Sequence, residues 1–222
     1  MRERAVQLGR IAFGVLAAVA LCVQGQHAVS QGSPLTDFFS YFTILSNIAG
    51  LLVLVAGGVL ALRGSPGIPD AVRGAIVLYM TITGLVYALL LSGYSLGLLL
   101  PWVDDIVHRV MPVVYLADWL LMPPARRIDR TTVLKWLVFP LVYLAYTLAR
   151  GPLVHWYPYP FLDPHLPGGY GRVAGACTLM LGLFVLVAAV LAWLGNRLGS
   201  RRRDRPPPRH ARSAPGRATD PT

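Results

Sequence analysis

FFSYFTILSNIAGLLVLVAGGVLAL, residues 38–62, holds no charged side chain, and its reading decides the fold. A helix needs about 20 mostly apolar residues to cross the hydrocarbon of a bilayer. Five further windows meet that length: 9–28, 74–96, 103–122, 132–150 and 171–195. Turn-forming stretches separate them, among them SPLTD at 33–37, RGSPGIPD at 63–70 and PPARRIDR at 123–130. Across all 222 residues 55% are hydrophobic and 14% charged, against about 25% charged in an ordinary soluble domain. Mean hydropathy is +0.56. One small core cannot hide that much apolar surface, and no run shows the alternation of a strand. The expected fold is all-α, a polytopic bundle of six transmembrane helices over residues 9–196.

Charge sets the expected direction. Seventeen of the 20 Lys and Arg fall on one side: at or before the start of the first window (Arg2, Arg4, Arg10), around 63–73, around 126–135, and in the tail from Arg197 on. By the positive-inside rule that side is the cytoplasm, which puts both termini in and the protein in an inner membrane. The net charge of +10 therefore reads as orientation and contact with anionic lipid rather than nucleic-acid binding. The first window has a basic start like a signal peptide, but no A-x-A site follows it. Leu21 is too large before Cys22 for a lipoprotein box, so a retained helix is expected. Residues 1–8 read as a cytoplasmic N-terminus, and 197–222, rich in Pro and Arg, as a disordered cytoplasmic tail. Cys22 and Cys177 lie in apolar windows as small packing residues. No zinc-like spacing occurs, and no cofactor is expected.

Polar groups inside spans are costly and need a reason. In the fourth window Asp104, His108, Met111, Tyr115 and Asp118 recur on one helical face. Asp104 stands one turn before His108 and can fix its tautomer. Asp105 and Arg109 make a second i, i+4 pair. Pro112 cannot donate to the His108 carbonyl, which predicts a kink there. In the second window Thr43, Ser46 and Asn47 share a face, where polar glue between helices is the plainer role. Thr43 and His108 each lie five residues inside the outer boundary, so both sit about 7 Å deep, the disposition of a nucleophile and its base. Tyr143, Tyr146, Thr147 and Arg150 approach the same end on the fifth window. Arg109, Arg150 and Arg172 break the cytoplasmic charge rule there. They can hold an anionic head group or snorkel to lipid phosphate. The loop HWYPYPFLDPHLPGGYG, 155–171, reads as an interfacial aromatic belt or a lid. A metal site from His155, Asp163 and His165 lacks a tight ligand spacing. GYSLG at 93–97 matches G-x-S-x-G outside the strand-to-helix turn that the motif requires, leaving Ser95 a reserve nucleophile.

At FFSYFTILSN, in the stretch holding His108, Pro112, Asp118 and Trp119, and at YPYPFLD (157–163), the sequence resembles the bacterial six-transmembrane family called Pr-six-Pr. More distantly it resembles the androgen-induced, FAR-type membrane proteins, threonine hydrolases that cleave fatty acid esters of hydroxy fatty acids. That second resemblance implies a nucleophile at Thr43, within Tyr41-Phe42-Thr43, and a catalytic histidine at His108. The expected function is intramembrane hydrolysis of a lipid or hydrophobic ester, with Thr43 attacking, His108 as base and Asp104 orienting it. Ser46 or Asn47 would serve the oxyanion, and Arg109, Tyr143, Thr147, Arg150 and Arg172 would line the polar end of the substrate. Two alternatives stand beside it. A transporter or binding protein would use the same groups to relay protons or hold an ion, with Asp118 carrying the path inward. An assembly subunit would use them as a helix–helix interface, with partners unknown.

Overall fold

Helix α1 (Arg2–Ser30) and a short α2 (Leu35–Phe38) lead into α3 (Phe42–Leu62). Helix α4 (Asp70–Val86) continues into a π-helical turn, Tyr87–Leu91. Next come α5 (Pro101–Asp105), a second π turn (Ile106–Val110) and α6 (Met111–Leu121), joined without a break. Helices α7 (Arg130–Trp136) and α8 (Val138–Val154), a 3₁₀ turn (Pro160–Leu162) and α9 (Gly169–Arg203) follow. The computed structural model describes residues 2–91 and 99–203, and no strand occurs among them.

Five helical segments are long and apolar enough to cross a membrane: Glu3–Ser30, Phe42–Leu62, Asp70–Leu91, Arg130–Val154 and Gly169–Ser200. Leu134, Val142, Leu179 and Leu186 stand exposed on the last two. Apolar faces of that extent suit lipid rather than water, and the molecule is a membrane-embedded helical bundle. The continuous stretch 101–121 differs from the five in carrying Asp104, Asp105, His108, Arg109 and Asp118.

Glycines let the helices meet closely. A Cβ at Gly58 would lie 2.8 Å from the Gln7 carbonyl, and one at Gly14 would run into Val55, so α1 and α3 pack backbone to backbone. Buried indoles tie the other end. Trp136 Nε1 donates to the Ala71 carbonyl at 2.7 Å, and Trp119 Nε1 to the Leu191 carbonyl at 3.1 Å. Asn196 bonds both backbone groups of Ile128, fastening α9 to the loop after α6.

The structure alters several expected boundaries. The second window does not start as a helix at Phe38. Tyr41 takes extended backbone as the N-cap of α3. Ser40 Oγ bonds the Thr36 carbonyl at 2.6 Å, and Tyr143 donates to the Ser40 carbonyl at 2.9 Å. Those side chains end α2 and make Thr43 the second residue of α3 rather than the sixth of a longer helix. The kink expected at Pro112 is taken up by a π turn, in which the Met111 N–H reaches the Ile106 carbonyl. Residues 197–203, expected to open the disordered tail, extend α9. The GYSLG match with Ser95 and the tail beyond Arg203 lie outside the described residues.

Candidate functional site

Thr43 enters the site because α3 starts one residue before it. The first N–H groups of a helix have no carbonyl four residues back, and they form the positive end of the helix dipole. The threonine hydroxyl therefore sits where negative charge is favoured. Its Oγ1 lies 3.2 Å from His108 Nε2. The other ring nitrogen, Nδ1, is 2.8 Å from Asp104 Oδ1. A carboxylate only accepts, so Nδ1 carries a ring proton, and in the neutral imidazole the Nε2 lone pair faces the threonine hydroxyl. Thr43 and His108 are both buried.

Tyr87 completes this arrangement from the first π turn. Its ring stacks on His108 with centroids 4.3 Å apart and planes within 10°. Its hydroxyl donates to Asp104 Oδ2 at 2.5 Å. The carboxylate is thus held by the imidazole on one oxygen and the phenol on the other. Arg109 covers the outer face of the Tyr87 ring, 5.3 Å from its centroid, and pairs with Asp105. Both π turns contribute to the site, as such turns frequently do.

On its other side Thr43 lines an apolar cleft that is partly open at its mouth. Leu141, Leu144, Leu162, Met180, Leu181 and Phe184 line most of it. Its polar groups include Thr43, Thr83, Tyr143 and Tyr159. The Thr43 N–H donates to the Tyr159 hydroxyl at 3.4 Å. Burial pushes the Tyr159 phenol up, so it stays protonated.

Other expected site residues are placed differently. Asn47 cannot serve an oxyanion as it stands: its Nδ2 donates to the carbonyls of Thr43 at 2.9 Å and Val107 at 3.3 Å. Ser46 is fully buried one turn deeper and does not line the cleft. Tyr143 lines the cleft but spends its hydrogen on the Ser40 carbonyl. Thr147 is buried outside it. Arg109, Arg150 and Arg172 do not line the cleft either. Arg150 pairs with Asp37 at 2.5 Å and lies over Trp156. Arg172 donates to the carbonyls of Pro160 at 3.0 Å and Asp163 at 2.7 Å. These two arginines fasten chain segments together rather than reaching a ligand in the cleft.

Asp118, on the same sequence face as His108, belongs to the opposite end of the bundle. It lies between Arg10, at 2.6 Å, and Arg73, at 2.9 Å, with Asp70 on the far side of Arg73 at 3.0 Å. Asp163 bonds His165, while His155 forms the left-handed C-cap of α8. Sequence reasoning missed Tyr87 and Tyr159. The first carried one signal, a phenol near the outer end of an apolar window, where it needs a partner. The second stood between two prolines in a segment read as an interfacial belt. Neither a protein family, nor a curated protein, nor a solved structure matches the chain.

Proposed function

We propose that this protein is an intramembrane hydrolase of a lipid or other hydrophobic acyl ester, with Thr43 as nucleophile. The observation that carries the reading is the Thr43–His108–Asp104 chain of contacts, at 3.2 and 2.8 Å, with Thr43 and His108 buried and Thr43 opening onto an apolar cleft. The cleft holds the acyl chain. Thr43 Oγ1 attacks the ester carbonyl as His108 Nε2 takes its proton, and Asp104 steadies the resulting imidazolium. His108 then returns the proton to the leaving alcohol. Water, activated by the same nitrogen, releases the acid and restores Thr43. In this reading the stretch 101–121 is a sixth span and both termini are cytoplasmic, in a bacterial inner membrane. The basic residues at one end and the resemblance to the bacterial six-transmembrane Pr-six-Pr family support that placement.

Proton or ion movement has its own supporting observation. Buried polar atoms of Ser46, Asn47, Thr83 and Tyr115 lack hydrogen-bond partners, and in sequence they lie between the Thr43 and Asp118 ends. Against a relay, Asp118 is held between Arg10 and Arg73. Hydrolysis therefore remains the reading.

The test is labelling of the purified protein by an alkyl fluorophosphonate, beside Thr43→Ala, His108→Ala and Ser95→Ala. Labelling that vanishes with the first two and survives the third is expected. A folded wild type that stays unlabelled, and hydrolyses no p-nitrophenyl ester of any chain length, would overturn the reading.

A further inference from the structure

A nucleophile and a base leave one requirement unmet: a donor for the charge that develops on the acyl oxygen. Such donors often supply the largest share of the rate, and removing one costs about 10²–10³-fold in kcat. The side chains expected to fill the role do not fit it. Asn47 is spent on two backbone carbonyls, and Ser46 is sealed away from the cleft. Tyr143 reaches the cleft with its hydrogen already committed.

We propose that the Tyr159 phenol is the oxyanion donor, and that loop 155–168 therefore supplies a catalytic residue to a site otherwise built from spans. The inference rests on the hydrolase reading. Tyr159 and Thr43 line the same cleft. The phenol oxygen accepts the Thr43 N–H and lies beside the Thr43 and Tyr143 side chains; once Thr43 is bonded to the acyl carbon, the phenol hydrogen turns to the acyl oxygen. An accepted N–H polarises an O–H and strengthens it as a donor. Here that N–H belongs to the positive end of α3, so the phenol passes the helix terminus on to the substrate.

The loop fixes this phenol in place. Tyr159 takes extended backbone as the N-cap of the Pro160–Leu162 turn. Its ring stacks on Phe161 at 5.2 Å and meets Tyr41 edge-on at 5.8 Å. Arg172 clasps the turn through the Pro160 and Asp163 carbonyls, which makes it a positioning residue. In the reaction the Thr43 Oγ1–carbon bond forms as the carbonyl π pair moves onto oxygen. Tyr159 donates a hydrogen bond to that oxygen without transferring its proton. When the pair returns, the bond to the alcohol breaks and His108 protonates the leaving oxygen.

The experiment measures hydrolysis of p-nitrophenyl octanoate by full-length protein in detergent, together with inhibition by an octyl trifluoromethyl ketone. Tyr159→Phe is expected to lower kcat about 10²-fold with little change in KM. Affinity for the ketone, which binds as a tetrahedral oxyanion, should fall by a similar factor. Arg172→Gln should lower kcat less, with KM again held. Tyr159→Phe also removes the acceptor of the Thr43 N–H, so 3-fluorotyrosine at position 159 is the second variant. It keeps that acceptor and makes the phenol more acidic, and a changed kcat is expected. Wild-type turnover that depends on Thr43, with both Tyr159 variants at wild-type kcat and ketone affinity, would overturn the role of Tyr159 alone. Absence of Thr43-dependent turnover would overturn the hydrolase reading, and this inference with it.

Discussion

Tyr87 and His108 stack face to face at 4.3 Å, and the same tyrosine donates to the carboxylate that holds the histidine. One residue thus limits the imidazole's tilt and anchors its partner. Tyr87→Phe keeps the stack and loses the hydrogen bond, which should cost about 1 kcal/mol of stability and slow fluorophosphonate labelling several-fold. Tyr87→Ala loses both and should slow labelling much further. Equal labelling rates for the two variants would mean that the stack contributes nothing.

Asp104→Asn preserves shape while removing the charge. An amide can present its N–H to Nδ1 and so favour the tautomer whose Nε2 carries the proton, facing Thr43 with no lone pair. A triad carboxylate changed this way costs on the order of 10⁴-fold in kcat, and a loss of at least 10²-fold is expected here. The measurement is ester hydrolysis across pH. A residual rate within threefold of wild type would remove Asp104 from the mechanism.

Five of the six apolar windows were legible because length and hydropathy suffice for them, and the helix at 42–62 lies within its predicted span. The pairing of Thr43 with His108 was reached from an equal depth that depended on the wrong helix start. Their actual contact comes from the break at Ser40–Tyr41, which depends on a bond from Tyr143 about a hundred residues away. Such a bond leaves no local pattern. The π turns were hidden for the same reason: Pro112 announced a disturbance, but either a kink or a π turn relieves a missing N–H. The outer arginines looked available because sequence does not disclose Asp37 beside Arg150, or the carbonyls under Arg172.

Asp118 separates a structural role from a transport role. Its carboxylate, about 10% exposed, is shared by Arg10 and Arg73. Asp118→Ala leaves the largely buried Arg10 without its counter-charge and Arg73 with Asp70 alone, at about 3 kcal/mol or more. Thermal unfolding in detergent should move well down, while Thr43-dependent turnover at low temperature persists. A variant of unchanged stability that loses proton or solute flux in vesicles would favour the transport reading instead.

Loop 155–168 should respond to acid. The Asp163 carboxylate accepts from the His165 backbone N–H at 2.9 Å. That bond leads the contacts that hold its carboxyl below the ordinary carboxylate range. A depressed folded pKa means stability that is present above the unfolded pKa and lost as pH falls through the folded one. Protection of the loop amides, taken relative to their intrinsic exchange rates, should therefore fall below about pH 4, and Asp163→Asn should show low protection at every pH. If the wild-type loop is equally protected at pH 3 and pH 7, Asp163 does not hold it.

Gly84 sets how closely α4 approaches the His108 segment. A Cβ there would stand 2.9 Å from Pro112 Cβ and 3.4 Å from the His108 carbonyl. Both neighbours are rigid, one a pyrrolidine ring and the other backbone. Gly84→Ala must therefore push the α4 end and its Tyr87 turn away from His108. Overpacking of this kind costs about 1–3 kcal/mol, and the displaced phenol should slow labelling more than the lost stability accounts for. Gly171→Ala is the matched control, since a Cβ at Gly171 meets nothing within 4 Å. That control should be neutral or slightly stabilising, because alanine is the better helix former. Unfolding temperature and labelling rate measured on both variants decide the matter. If Gly84→Ala behaves like Gly171→Ala in both, the close approach of α4 is not what seats Tyr87 on His108.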